Sequence, residues 1–185
     1  DETMQALDDL VTQGKIRYIG CSNLPSWQVV ESQWLSKSMG LNRFVSCQDE
    51  YNILNRDVES ELIPAMQKYG CGLLPYFPLA SGLLTGKYKR TEMPKGARLT
   101  DMPTFANRIY LTDENFDIVD RLKKFANKTG HSILELAFGW MASRPTTASI
   151  IAGATKPEQI DANVAAINWV LSQSEIDEVD KISAR

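Results

Sequence analysis

The sequence predicts an α/β fold built on a parallel sheet, and three observations carry the prediction. Short runs rich in branched and aromatic residues, Ile16–Cys21, Phe44–Gln48 and Cys71–Tyr76, alternate with amphipathic stretches of helical period. The runs lead into polar residues at their C-terminal ends, Ser22-Asn23 after the first and Gln48-Asp49-Glu50-Tyr51-Asn52 in and after the second. Glycines close the helical stretches, and the cycle repeats at about 28 residues, the size of a βα unit that joins parallel strands.

Taken in order, Glu2–Gln13 reads as a helix with Met4, Leu7, Leu10 and Val11 on one face, stopped by Gly14. After the Ile16–Cys21 strand, Ser26 is the expected N-cap of a helix over Trp27–Lys37, with Val30, Trp34 and Leu35 on its inner face. The Phe44–Gln48 strand precedes a helix over Val58–Tyr69, with Leu62, Met66 and Tyr69 on one side and Gly70 at its end. After the Cys71–Tyr76 strand the rhythm breaks. The segment from Phe77 carries Pro94, Gly96 and Pro103 and few periodic apolar positions, which reads as a long functional loop. Thr112 or Asp113 then caps a helix through Lys128, and the more fully apolar Ser132–Ser143 reads as a buried helix. A strand at Ile150–Ala152 and helices over about Pro157–Ala166 and Ser174–Ser183 close the chain. Trp27, Trp34, Trp140 and Trp169, and Tyr18, Tyr51, Tyr69, Tyr88 and Tyr110, are read as packing residues.

Composition bounds the function classes. The 185 residues fit one domain spanning 1–185, and 43% hydrophobic and 23% charged residues are ordinary for a soluble globular chain. A formal net charge of −3 without a basic block argues against nucleic-acid and membrane partners. The three cysteines, Cys21, Cys47 and Cys71, are odd in number and sit in or beside apolar runs, as free thiols of a reducing, cytoplasmic compartment would. No signal or membrane-spanning run is visible. The chain opens without Met, already inside a helix, so an upstream part is expected to be missing.

The stretch Ser149–Asn163, SIIAGATKPEQIDAN, has the layout of an anion site. A short apolar run breaks at Gly153, and a helix starts near Pro157, a residue suited to a first helical position. The first-turn N–H groups lack intrahelical partners and the helix dipole favours negative charge there. Gly153 would let the backbone approach, Thr155 would cap with its hydroxyl, Lys156 would add a cation, and Gln159 and Asn163 share a face four residues apart. Alone, such a turn is an ordinary strand-to-helix connection.

Four segments together resemble, in order and spacing, the C-terminal half of the aldo-keto reductase family: GKIRYIGCSN at Gly14–Asn23, QDEYN at Gln48–Asn52, LLPYFPLASGLLTGKY at Leu73–Tyr88 and GATKPEQIDAN at Gly153–Asn163. The resemblance implies a parallel (β/α)8 TIM barrel, here about its last four βα units, and NADPH bound in an extended conformation without a glycine-rich Rossmann motif. It also implies that Ser22 and Asn23, with Gln48, hydrogen-bond the nicotinamide carboxamide, and that Tyr76 stacks on the ring. Such roles suit amide side chains and an aromatic face. Leu79, Ser81 and Lys87 match the loop over the pyrophosphate. Gly153, Thr155, Lys156, Gln159 and Asn163 match the adenosine end, with Thr155 and Lys156 against a 2′-phosphate. Singly, Ser22-Asn23 reads as turn chemistry, Gln48 as a buried amide and Tyr76 as a core aromatic; the joint pattern favours cofactor contacts.

Two departures stand out. Phe77 occupies a position where the family usually has serine, and Ala162 one where glutamate often precedes the asparagine. The family's catalytic aspartate, tyrosine, lysine and histidine lie on the first four strands, upstream of this chain, so no catalytic residue is assigned. His131 is read as structural. The expected protein is an NADPH-dependent reductase of aldehydes or ketones, with Thr91–Leu111 contributing specificity for a small carbonyl substrate. The alternative is a truncated or regulatory, non-catalytic nucleotide-binding chain. A half barrel would leave sheet edges at Ile16–Cys21 and Ser149–Ala152, and self-association could cover them.

Overall fold

A computed structural model describes residues 1–101 and 109–184, which divide into two compact units. The first comprises Asp1–Glu50, Asp57–Tyr76 and Thr146–Ser149. Its opening helix α1 (Glu2–Thr12) buries Met4 against Ile19 and Phe44, with Leu7 and Val11 alongside. Gly14 follows at φ +71°, a conformation that favours glycine. The N–H groups of Lys15 and Ile16 both return to the Leu10 carbonyl, at 3.0 and 3.4 Å. This commitment delays strand β1 to Ile19–Ser22, short of the expected start at Ile16.

Helix α2 (Ser26–Met39) follows, then β2 (Phe44–Gln48), a 3₁₀ turn at Asp57–Glu59, α3 (Leu62–Tyr69) and β3 (Gly72–Leu73). The strands are parallel in the order β1-β2-β3, with Cys21 opposite Cys47 and Ser22 opposite Gln48. Although β3 is shorter than the expected Cys71–Tyr76, pairing continues past it: Leu74 and Tyr76 donate to the carbonyls of Cys47 (2.9 Å) and Asp49 (3.0 Å). On its other side, Leu73 exchanges hydrogen bonds with Thr146 (2.7 Å) and Ala148 (2.8 Å) around a parallel bridge to Thr147. The strand expected at Ile150–Ala152 is therefore replaced by pairing a few residues upstream.

Helix α2 corrects three expectations. Pro25 occupies the N-cap, while Ser26 lies in the first turn and donates to Glu61 Oε2 at 2.7 Å. The buried face carries Val29, Gln33 and Ser36, not Val30, Trp34 and Leu35. The polar pair is tolerated inside because Gln33 Nε2 donates to the Phe44 carbonyl (2.9 Å) and Ser36 Oγ to that of Ser32 (2.9 Å). Trp27 and Trp34 consequently point outward, 62% and 58% exposed, and Tyr18 is also exposed. The three cysteines are free, with the sulfurs of Cys21 and Cys47 3.5 Å apart.

The second unit comprises Tyr51–Arg56, Phe77–Pro145 and Ile150–Arg185. It holds a 3₁₀ segment at Ala80–Thr85, a short α4 (Arg98–Asp101), α5 (Asp113–Lys128), α6 (Ile133–Ala142), α7 (Pro157–Ala166) and α8 (Gln173–Ser183). Thr112 caps α5 by accepting from the Asn115 amide at 3.2 Å. Capping boxes start α6 and α8: Ser132 with Glu135, and Ser172 with Glu175. Helix α6 is buried along most of its length, as its apolar run predicts, and Gly139 lets the chain at Trp169 come close. A Cβ there would lie 2.6 Å from the Trp169 carbonyl oxygen. Trp140 and Trp169 are buried; His131 stacks on the Trp169 ring at 3.9 Å, with Nδ1 3.1 Å from Glu135 Oε1. The Asp180 carboxylate accepts from Trp140 Nε1 (2.8 Å), Arg56 (3.0 Å) and Arg144.

Candidate functional site

In the first unit, expected site residues stand at the C-terminal ends of adjacent strands. Ser22 ends β1, Gln48 ends β2 in register with it, and Tyr76 follows β3 bridged to Glu50. A string of hydrogen bonds orients them. Tyr76 Oη donates to Asn23 Oδ1 (2.7 Å), Asn23 Nδ2 donates to Ser22 Oγ (2.8 Å), and Ser22 Oγ donates to the Gln48 carbonyl (2.8 Å). Burial, reinforced by the carboxylates of Glu50 and Asp49, pushes the Tyr76 phenol up, so at neutral pH it keeps the proton it donates. Asn23 sits at φ +56°, a left-handed conformation that asparagine accepts more readily than most residues. Its backbone N–H is held by Asp49, a buried carboxyl whose pKa desolvation raises and that hydrogen bond lowers. Asp49, quoted in the QDEYN segment without a role, is thus a support for Asn23. Ser22, Asn23 and Gln48 all remain exposed.

In the second unit, Leu79, Ser81 and Lys87 share one loop of unusual backbone. Phe77, Ala80 and Ser81 have φ of +52°, +47° and +55°, and Gly82 has φ +97°. The three non-glycine residues cost on the order of 1–3 kcal/mol each in that conformation and persist where surrounding structure over-determines them, often at ligand sites. The Leu79 carbonyl accepts from the amides of Gly82 (2.7 Å) and Leu84 (3.2 Å). Ser81 is only 8% exposed, and its Oγ has no hydrogen-bond partner among the described residues. The Lys87 side chain passes close to Gly82: a Cβ on Gly82 would stand 3.2 Å from its Cε and 3.3 Å from its Nζ. Phe77, at the position where the resemblance expects a serine, lies under the Arg98 guanidinium at 4.9 Å.

The Gly153–Asn163 segment differs locally from expectation. The N-cap of α7 is Lys156, not Thr155, because Pro157 occupies the first turn and favours extended backbone before it; Lys156 has φ −143° and ψ 146°. Thr155 is tied to Gln159, whose Oε1 accepts from the Thr155 amide (2.7 Å) and hydroxyl (3.2 Å). A Cβ at Gly153 would meet nothing within 4 Å, so space there is open. Asn163 is half-buried, one turn beyond Gln159. Of the expected specificity segment Thr91–Leu111, residues 102–108 lie outside the described residues. Among the described residues no cluster of His, Cys, Asp and Glu could hold a metal ion, and no helix is long and apolar enough to cross a membrane.

Parallel strands with polar side chains at their C-terminal ends in the first unit, and a loop of left-handed backbone in the second, make this an α/β protein. The chain belongs to the aldo-keto reductase family: the model of the Aldo/keto reductase family matches residues 1–184. Among its relatives, a probable voltage-gated potassium channel subunit beta of Oryza sativa subsp. japonica is 38% identical over 100% of this chain and 56% of its own length. A putative aryl-alcohol dehydrogenase of Schizosaccharomyces pombe is 35% identical over 95% of this chain and 49% of its own. The NADH-specific methylglyoxal reductase of Escherichia coli is 33% identical over 94% and 51%. The chain spans about half the length of the curated relatives it matches.

Proposed function

We propose that this chain carries the dinucleotide-binding half of a (β/α)8-barrel reductase that converts aldehydes or ketones to alcohols with NADPH. The observation that carries the reading is the Phe77–Lys87 loop. Its left-handed residues, the buried Ser81 hydroxyl without a partner among the described residues and the Lys87 cation near Gly82 would supply the donors and charge a pyrophosphate requires. The residues fit that group: a hydroxyl without a partner among the described residues has a donor to give, and the Lys87 ammonium near Gly82 adds charge. When bound, the reduced nicotinamide supplies a hydride to the carbonyl carbon.

The roles of this chain's residues follow from their chemistry. Ser22, Asn23 and Gln48 would orient the carboxamide. Asn23 enters that contact already held by Tyr76 and Ser22, so little ordering entropy remains to be lost. The Tyr76 ring would fix which face of the nicotinamide meets substrate. Leu79, Ser81 and Lys87 would hold the pyrophosphate. Gly153, Thr155, Lys156, Gln159 and Asn163 would hold the adenosine end, with Gln159 exchanging its Thr155 contacts for the ligand. The proton donor for the alkoxide would come from outside this chain.

A second reading, a regulatory subunit that keeps the nucleotide groove without turnover, draws on the potassium-channel beta subunits among the relatives. The NADH-specific relative makes cofactor choice an open comparison within the same experiment. Calorimetric titration with NADPH and with NADH tests the reading. Saturable binding, stronger for NADPH and weakened by Lys156→Ala only toward NADPH, is expected. A folded chain that binds neither dinucleotide would overturn it.

A further inference from the structure

We propose that Asn52 is the positioning residue that sets the Phe77–Lys87 loop; the inference rests on reading that loop as the pyrophosphate site. Asn52 is fully buried and 25 residues away in sequence from the backbone it grips. Its Oδ1 accepts from the amides of Leu54 and Asn55, both at 2.9 Å, and its backbone exchanges hydrogen bonds with Asn55 at 3.0 and 3.1 Å. The side chain is therefore fixed before it reaches outward. Its Nδ2 then donates to the Phe77 carbonyl (3.0 Å) and to Tyr110 Oη (3.3 Å).

The Phe77 carbonyl is where the loop turns. The same oxygen accepts from the Ala80 amide at 2.9 Å, closing the turn over Pro78 and Leu79. Phe77 precedes proline, a position biased to extended backbone, yet it stands at φ +52°. An unfavourable conformation of this kind needs an outside hold. Asn52 supplies it at the backbone and the Arg98 guanidinium at the ring. Ala80, Ser81 and Gly82 follow directly in left-handed conformations, so the direction of the Phe77 carbonyl decides where the Ser81 hydroxyl points. Among the described residues the hydrogen bonds of Asn52 go to Leu54, Asn55, Phe77 and Tyr110, so it acts through the loop.

Asn52→Asp separates this role from local turn formation. A carboxylate still accepts from the amides of Leu54 and Asn55 but cannot donate to the Phe77 carbonyl. Asn52→Ser makes the same separation without a charge and serves if the buried carboxylate unfolds the chain. Tyr110→Phe removes the other acceptor and leaves the grip on Phe77 in place. Two measurements decide. Amide exchange of Gly82 and Leu84, the donors to the Leu79 carbonyl, is expected to accelerate in the Asn52 variants and not in Tyr110→Phe. NADPH affinity is expected to fall about tenfold, the size of one lost hydrogen bond, while 2′-AMP, which has no pyrophosphate, binds unchanged. Unaltered exchange in both Asn52 variants overturns the inference whatever the ligand does. Equal loss of both ligands overturns it too, because that is the mark of general destabilisation. Failure of the wild-type chain to bind NADPH, with exchange still accelerated in the variants, would instead overturn the dinucleotide reading and leave Asn52 as the anchor of the loop.

Discussion

Substituting Gly82 by alanine tests the proposed pyrophosphate loop through two separable costs. Gly82 has φ +97° and ψ 0°, and a side chain in left-handed backbone costs roughly 1–2 kcal/mol. The added Cβ would also stand 3.2 Å from Lys87 Cε and 3.3 Å from Nζ, and 3.5 Å from Tyr88 Cε2. Tyr88 is buried and accepts the Leu99 amide at 3.0 Å, whereas Lys87 is exposed and flexible. The lysine therefore yields. Thermal unfolding should shift down by about 2–8 °C, from that strain at about 2–4 °C per kcal/mol for a chain of this size. If the displaced ammonium was positioned for phosphate, a charge-assisted bond of about 1.5–3 kcal/mol is lost, which is roughly a 10- to 100-fold rise in the NADPH dissociation constant. Calorimetric titration of Gly82→Ala, Lys87→Ala and the double variant forms a cycle. Once Lys87 is gone, Gly82→Ala should cost little further affinity. An equal loss in both backgrounds would refute the route through Lys87.

Other substitutions probe the framework. Asp180→Ala removes the acceptor shared by Trp140, Arg56 and Arg144 and leaves two arginines that are 25% and 19% exposed; a loss of about 3–5 kcal/mol is expected in urea unfolding. Glu135→Ala should cost about 1 kcal/mol at neutral pH through the lost cap of α6. The Ser132 amide, with help from His131 and the Ser132 hydroxyl, lowers the Glu135 pKa from 4.5 to about 2. Its stabilising contribution is thus complete above pH 4.5 and disappears as pH falls toward 2, where variant and wild type should converge. Asp49 runs the other way. Burial raises its pKa above 3.8, so folding holds its proton below that value and loses this contribution as pH rises through the folded pKa. Asp49→Asn should therefore be more stable than wild type at pH 7 and lose that advantage below pH 3.8, by urea midpoints at both pH values.

The parts legible in the sequence were those whose cause is local. Helix α7 runs over Pro157–Ala166 as read, because proline marks its first turn, and β2 matches its β-branched and aromatic run. The glycines after α1 and α3 do adopt left-handed backbone. Both capping boxes were also local, as Ser132 and Ser172 each precede a glutamate by three residues, a signal the apolar pattern overshadowed. The misread parts depend on distant partners. Gln33 and Ser36 face inward on α2 because backbone carbonyls receive them, and that turns Trp27 and Trp34 to solvent. The strand set at Ile150–Ala152 gave way to Thr146–Ala148 because Leu73 pairs there. Within the candidate site, Ser22, Asn23 and Tyr76 stand in the quoted motifs, and so do Asp49 and Asn52, but the motif alone does not show that Asp49 holds Asn23 or that Asn52 holds Phe77. No periodicity or spacing in one sequence links a buried asparagine to a carbonyl 25 residues on.

Under the proposed function, NADPH would contact Ser22 and Asn23, the Leu79–Lys87 loop and the Thr155–Asn163 segment. Hydrogen–deuterium exchange with and without saturating NADPH reports where the ligand acts. Bound NADPH should slow exchange at Ser22–Asn23, across Leu79–Lys87 and at Thr155–Asn163, with α8 unchanged. Protection confined to other segments, or none at saturation, would contradict it.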